Sequence, residues 1–81
     1  MKFVMNHNNI NVRDLDKSVK FYQEAFGLTI ARVHEPEDKS FKLVFLEDEN
    51  HYWRLELTWL RDHPQKYDLG ECEFHLALRA E

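Results

Sequence analysis

Only one segment of this chain has the spacing of an amphipathic helix, and that restricts it to folds in which a single helix backs a sheet. Leu15, Val19, Tyr22 and Phe26 follow one another at intervals of 4, 3 and 4, a single helical stripe. Phe21 and Ala25 flank that stripe and widen it. Asp14 or Asp16 is placed to cap the start, and Gly27 stands where a left-handed residue ends a helix. The spacing therefore predicts a three-turn helix over 15–26.

The remainder reads as strands and turns. Residues 3–12, 28–34, 40–47, 51–60 and 72–80 carry strand patterns. Glu35-Pro36-Glu37-Asp38 is a turn, Asp48-Glu49-Asn50 a hairpin connection, and 61–71 a loop containing Pro64 and Gly70. The expected fold is α+β, a βαβββ unit over 1–60 and a further strand after the 61–71 linker. One helix covers one sheet face, so the other face needs a partner, a ligand or water.

Alternation assigns the faces. In the first strand Val4, Ile10 and Val12 share one parity, and His7, Asn9 and Asn11 the other. In the fourth, Trp53, Leu55, Leu57 and Trp59 oppose Tyr52, Arg54, Glu56 and Thr58. In the last, Cys72, Phe74, Leu76 and Leu78 oppose Glu73, His75, Ala77 and Arg79. The apolar sets are expected to pack on the helix. His7, Glu56 and His75 then project from the opposite face, and two imidazoles with a carboxylate suit a divalent transition metal. The same residues also suit an ordinary wet face of an antiparallel sheet. His34, His51 and His63 fall in or beside turns and loops and read as surface residues.

Other chemistries are excluded. Two glycines leave no phosphate-binding loop, and no His-Glu-x-x-His run occurs. Cys72 and His75 have opposite parity, which argues against a Cys–His dyad and for a partly buried, inert thiol. A single cysteine allows neither an internal disulfide nor a cysteine-rich zinc site. Eleven Lys and Arg against 15 Asp and Glu give a net charge of −4, so neither nucleic acid nor membrane is an expected partner. No stretch approaches the roughly 18 apolar residues of a membrane span, and a cytoplasmic location is the expectation.

The run His7-Asn-Asn-Ile-Asn-Val-Arg-Asp-Leu-Asp-Lys-Ser-Val-Lys-Phe-Tyr22, followed by Phe26-Gly27-Leu28, resembles the opening of the vicinal oxygen chelate superfamily. Leu55-Glu56-Leu57-Thr58, then Lys66-Tyr67-Asp68-Leu69-Gly70 and Phe74-His75-Leu76-Ala77-Leu78, are similar to the later part of glyoxalase I, or lactoylglutathione lyase. The resemblance implies one βαβββ module and the first strand of a second, around a Ni²⁺ or Zn²⁺ ion. It implies His7, Glu56 and His75 as metal ligands, with Glu56 also catalytic. The substrate it implies is the hemithioacetal of methylglyoxal and a thiol, converted to a 2-hydroxyacyl thioester. A fourth ligand, a Glu late in the second module, has no counterpart here. A homodimer, or pairing with the missing second module, is therefore expected. Bacterial members place an Arg four residues after the first metal His and an Asn four after the metal Glu, to hold glutathione. Here those positions are Asn11 and Leu60, so Asn11 is a candidate substrate-binding residue and the thiol stays open. Superfamily epimerases, thiol transferases and metal-free binding and resistance proteins are the alternatives.

Overall fold

The computed structural model describes residues 1–81. Strand β1 (His7–Asn11) is followed by helix α1 (Leu15–Phe26) and strands β2 (Thr29–His34), β3 (Phe41–Glu47) and β4 (Arg54–Leu60). The four strands form one mixed sheet in the order β1-β4-β3-β2. β1 runs parallel to β4, and the other two pairings are antiparallel. This is the expected βαβββ unit of α+β class.

The helix ends are set locally. Asp14 Oδ1 accepts from the Lys17 amide at 3.1 Å, which satisfies one of the first-turn donors. Gly27, at φ 68°, turns the chain out of the helix, and its amide donates to the Gln23 carbonyl at 3.0 Å. Leu15, Val44, Leu46, Leu55 and Leu57 make the core, with Ile10, Val12, Val19, Tyr22, Leu28, Trp59 and Leu76 packed on it. The parity reading of β1 and β4 therefore holds. Phe26 and Leu78, expected in that core, are instead about half exposed, at 47% and 46%.

The structure corrects the sequence reading in four places. β1 starts at His7 rather than residue 3, because its partner β4 starts at Arg54; the Arg54 amide bonds the Asn6 carbonyl at 3.0 Å, and no strand lies beyond it. β4 starts at Arg54 rather than residue 51. Asp48 caps a tight turn through the Asn50 amide at 2.9 Å, and His51 takes φ 61°, outside any extended ladder. Residues 72–80 form no strand. A strand needs a neighbour to take its backbone bonds. This segment instead buries part of Leu76 against the core on the helix side. Cys72 is exposed rather than partly buried.

The surface is large for the mass. The chain exposes 6923 Å². A compact monomer of this mass exposes about 5,200 Å². The excess is about 1,700 Å², about twice the 800 Å² that one partner contributes to a standard protein–protein interface. Six of 81 residues are buried, consistent with a sheet covered on one face only. No helix is long and apolar enough to cross a membrane.

Candidate metal centre

Residues that pair directly across a sheet share a face, so the register defines the uncovered side. His7 stands beside Arg54, Asn9 beside Glu56 and Asn11 beside Thr58. Across the next ladder Glu56 opposes Phe45, Thr58 opposes Leu43, and Arg54 opposes Glu47. Arg32 of β2 opposes Phe45 in turn. The uncovered face is thus a polar strip over β1 and β4, continued by an aromatic floor on β3.

His7 and Glu56 come together on this face, Nε2 to Oε1 at 3.9 Å. The other ring nitrogen, Nδ1, hydrogen-bonds the Asn6 side-chain oxygen. That partner is an acceptor, so Nδ1 carries a proton, and Nε2 is the ring nitrogen turned toward Glu56. An imidazole nitrogen and a carboxylate oxygen brought together in this way are the donor types that divalent ions of nitrogen and oxygen preference take. An outer partner that sets the tautomer is also the usual support of a metal-ligating His. Tetrahedral ligands about 2.0–2.2 Å from zinc stand about 3.4 Å apart, so a shift of about half an ångström closes the pair on one ion. His7 and Glu56 fit a divalent ion of nitrogen and oxygen preference.

Asn9 supports the carboxylate. With its amide nitrogen turned toward β4, that nitrogen lies 3.0 Å from Glu56 Oε1, 3.2 Å from the Glu56 carbonyl and 2.5 Å from Thr58 Oγ1, and shares its two hydrogens among them. Asn11, the candidate substrate-binding residue, lies on the same face with its side-chain amide 2.6 Å from that of Asn9. A carboxylate accepts through about four lone-pair sites, so Asn9 leaves room for an ion.

His75 does not join them. It is exposed, on the segment whose Leu76 packs on the opposite, helix-side face. No three His, Cys, Asp or Glu side chains of the chain converge as a complete metal site. The expectation that all three lie on one side therefore fails for His75 in this arrangement. Without a strand to pair with, the apolar side chains of 72–80 decide where the segment rests. A cavity of about 420 Å³ lies between this segment and Leu28, Leu46 and Leu55. Neither His7 nor Glu56 lines it.

Strand alternation alone missed two neighbours of the site. Phe45, 9% exposed, is the one core-sized residue buried on the uncovered face, and the His7 ring packs edge-on against it at 5.3 Å. Arg32 lays its guanidinium over the same ring, 5.9 Å from the centroid. The spacing of Ile30 and Val33 carries the signal: three apart, they cannot share a face in an unbroken strand. A bulge between Ile30 and Arg32 resolves this. Farther along, Glu47 accepts from Arg54 Nε at 3.3 Å and pairs with His51 Nδ1 at 2.7 Å. The His51 bond chiefly, and Arg54 after it, hold the Glu47 carboxyl below its usual range against the opposing effect of burial.

The sequence and the fold are similar to those of proteins of known kind. The chain is 36% identical over 74 residues to a probable lactoylglutathione lyase of Vibrio parahaemolyticus, covering 89% of this chain and 53% of that protein. It is 38% identical over 79 residues to a probable lactoylglutathione lyase of Synechocystis, covering 93% and 58%. The chain thus spans about half the length of the curated relatives it matches. Among solved structures, the trypanothione-dependent glyoxalase I of Leishmania major superposes with a TM-score of 0.69 at 36% identity, over 83% of this chain and 50% of that one. Glyoxalase I of Zea mays gives a TM-score of 0.64 at 33% identity, over 73% and 22%. A methylmalonyl-CoA epimerase from Mycobacterium tuberculosis, 20% identical with a TM-score of 0.64, shares the fold. The family model of the Glyoxalase/Bleomycin resistance protein/Dioxygenase superfamily matches residues 4–81, which takes in the whole sheet, the helix and the His7–Glu56 pair, and the chain belongs to that superfamily.

Proposed function

We propose that the chain supplies half of a metal-dependent, glyoxalase-I-like active site that isomerises the hemithioacetal of methylglyoxal and a thiol to a 2-hydroxyacyl thioester. The observation that carries this is the His7–Glu56 pair, an imidazole nitrogen and a carboxylate oxygen 3.9 Å apart on the uncovered face, with the ring held by Asn6 and the carboxylate by Asn9. Relatives that are lactoylglutathione lyases at 36% and 38% identity support the reaction class.

His7 and Glu56 would hold a divalent ion, Ni²⁺ or Zn²⁺. His75 would be the third ligand, reaching the site if the 72–80 segment finds a strand partner. Bound there, the ion would supply Lewis-acid chemistry that acidifies the substrate's carbon-bound proton. Glu56 would take that proton from one carbon and return it to the next while the hydroxyl proton passes from the first oxygen to its neighbour; no atom is gained or lost, and the product is the 2-hydroxyacyl thioester. Asn9 keeps the Glu56 carboxylate aimed at the open face. Phe45 gives the reacting end a dry floor beside His7.

The uncovered face is closed by a second module or a second copy of the chain. The excess exposed surface, about 1,700 Å², is more than enough for one side of such a contact, about 800 Å² in a standard interface. The domain reading follows: residues 1–60 as one module, 61–71 as linker and 72–81 as the first strand of the next.

Metal titration of the full-length protein followed by calorimetry tests this reading. One divalent ion per site is expected. His7→Ala should weaken binding at least a hundredfold. Wild-type affinity in His7→Ala, with the fold intact, would overturn the assignment.

A further inference from the structure

Ile30 pairs with Leu46 and Arg32 with Phe45, so Ala31 is the extra residue of a bulge in β2. In an unbroken strand Arg32 would share the helix-side face with Ile30. The bulge turns it to the uncovered face, while Val33, opposite Val44, returns to the helix side. Bulges of this kind commonly re-aim a side chain beside an active site.

The guanidinium has no acidic partner within the chain. Arg54, Arg61 and Arg79 each pair with a carboxylate. Arg13 lies beyond the end of β1, beside Asp14 and Asp16. Arg32 is therefore the one uncommitted guanidinium on the face of His7 and Glu56. Its cation lies over the Phe45 ring, whose edge-on neighbour is His7. The two flank one aromatic ring, a separation that a peptide-like thiol spans in two or three extended residues at about 3.3–3.6 Å each. Asn11 and Leu60, farther along β1 and β4, are uncharged.

Building on the isomerase reading above, we infer that Arg32 is a specificity-determining residue. It binds a carboxylate carried by the thiol half of the substrate while His7 and Glu56 hold the reacting end. A planar guanidinium offers two parallel donors to such a group.

The test compares the full-length, Ni²⁺-loaded protein with Arg32→Gln and Arg32→Lys, on methylglyoxal hemithioacetals of glutathione and of its diethyl ester. For Arg32→Gln the KM for the glutathione adduct should rise about tenfold or more, with kcat changed less than about twofold. The ester adduct should be insensitive to the substitution, and Arg32→Lys should fall between. Equal losses on both adducts, or none on the glutathione adduct, would overturn the inference. Calorimetry with S-hexylglutathione, which does not react, separates this from the isomerase reading. A wild type inert toward both adducts would defeat the isomerase reading. About tenfold weaker S-hexylglutathione binding by Arg32→Gln would still sustain the anion-selecting role, whereas equal or absent binding would overturn it.

Discussion

Leu57 is fully buried in the middle of β4, level with Ile10 on β1 and Val44 on β3 and beneath the helix. Leu57→Ala removes three carbons, worth about 2.4 kcal/mol in transfer free energy at about 0.8 kcal/mol each. The cavity adds to this. The neighbours come from two other strands and a helix, each held by its own hydrogen bonds, so they cannot collapse into the space. The expected loss is about 3–4 kcal/mol, inside the observed range for such substitutions. A domain of this size has about 4–12 kcal/mol in all. With about 1 kcal/mol per molar of urea, the midpoint should fall by about 3 M. The melting temperature should fall by about 12–30 °C. Val33→Ala is the control, on the same face but 49% exposed, and should cost about 1 kcal/mol or less. Urea denaturation followed by circular dichroism reads both. A Leu57→Ala cost under 1 kcal/mol, or equal costs for the two variants, would refute the placement of the core.

Asn9→Ala removes the amide that donates to Glu56 Oε1 and should weaken divalent-metal affinity about 10- to 100-fold in a calorimetric titration, with an unchanged melting temperature. Deleting Ala31 should regularise the β2–β3 ladder, because Ile30 and Arg32 already pair with the consecutive residues Leu46 and Phe45. Cross-strand NMR contacts from Arg32 to Phe45 should survive the deletion; their replacement by Arg32 contacts to Val44 would contradict the bulge. The Glu47 carboxyl is held below its unfolded value of 4.5, first by its hydrogen bond to His51 and then by Arg54. Its stabilising contribution is therefore complete above that value and is lost as pH falls through the lower, folded one. The gap in urea midpoint between wild type and Glu47→Gln should be present at neutral pH and close in acid; a constant gap would contradict this.

How far the sequence could be read follows from what each feature depends on. The helix was legible because its stripe, its cap at Asp14 and its stop at Gly27 are all local. His7 and Glu56 were legible as one face because parity within an unbroken strand does not depend on which strand it pairs with. Arg32 was not, because one inserted residue in β2 reverses parity from that point on. Phe45 was missed because β3 is apolar on both faces: Val44 and Leu46 meet the helix side while Phe45 lies under His7. The 72–80 segment alternates like a strand, yet alternation gives no pairing partner. The groove that takes Leu76 offers apolar burial without one.

The most direct test of the central claim is thioester formation from methylglyoxal and glutathione by the full-length protein, with metal removed by chelation and then restored. The account predicts turnover that disappears with the metal and returns with Ni²⁺ or Zn²⁺. It also predicts that Glu56→Gln, which keeps the shape and the Asn9 contact while losing the charge, stays at least a thousandfold below wild type after restoration. Metal-independent turnover, or full activity in Glu56→Gln, would contradict it.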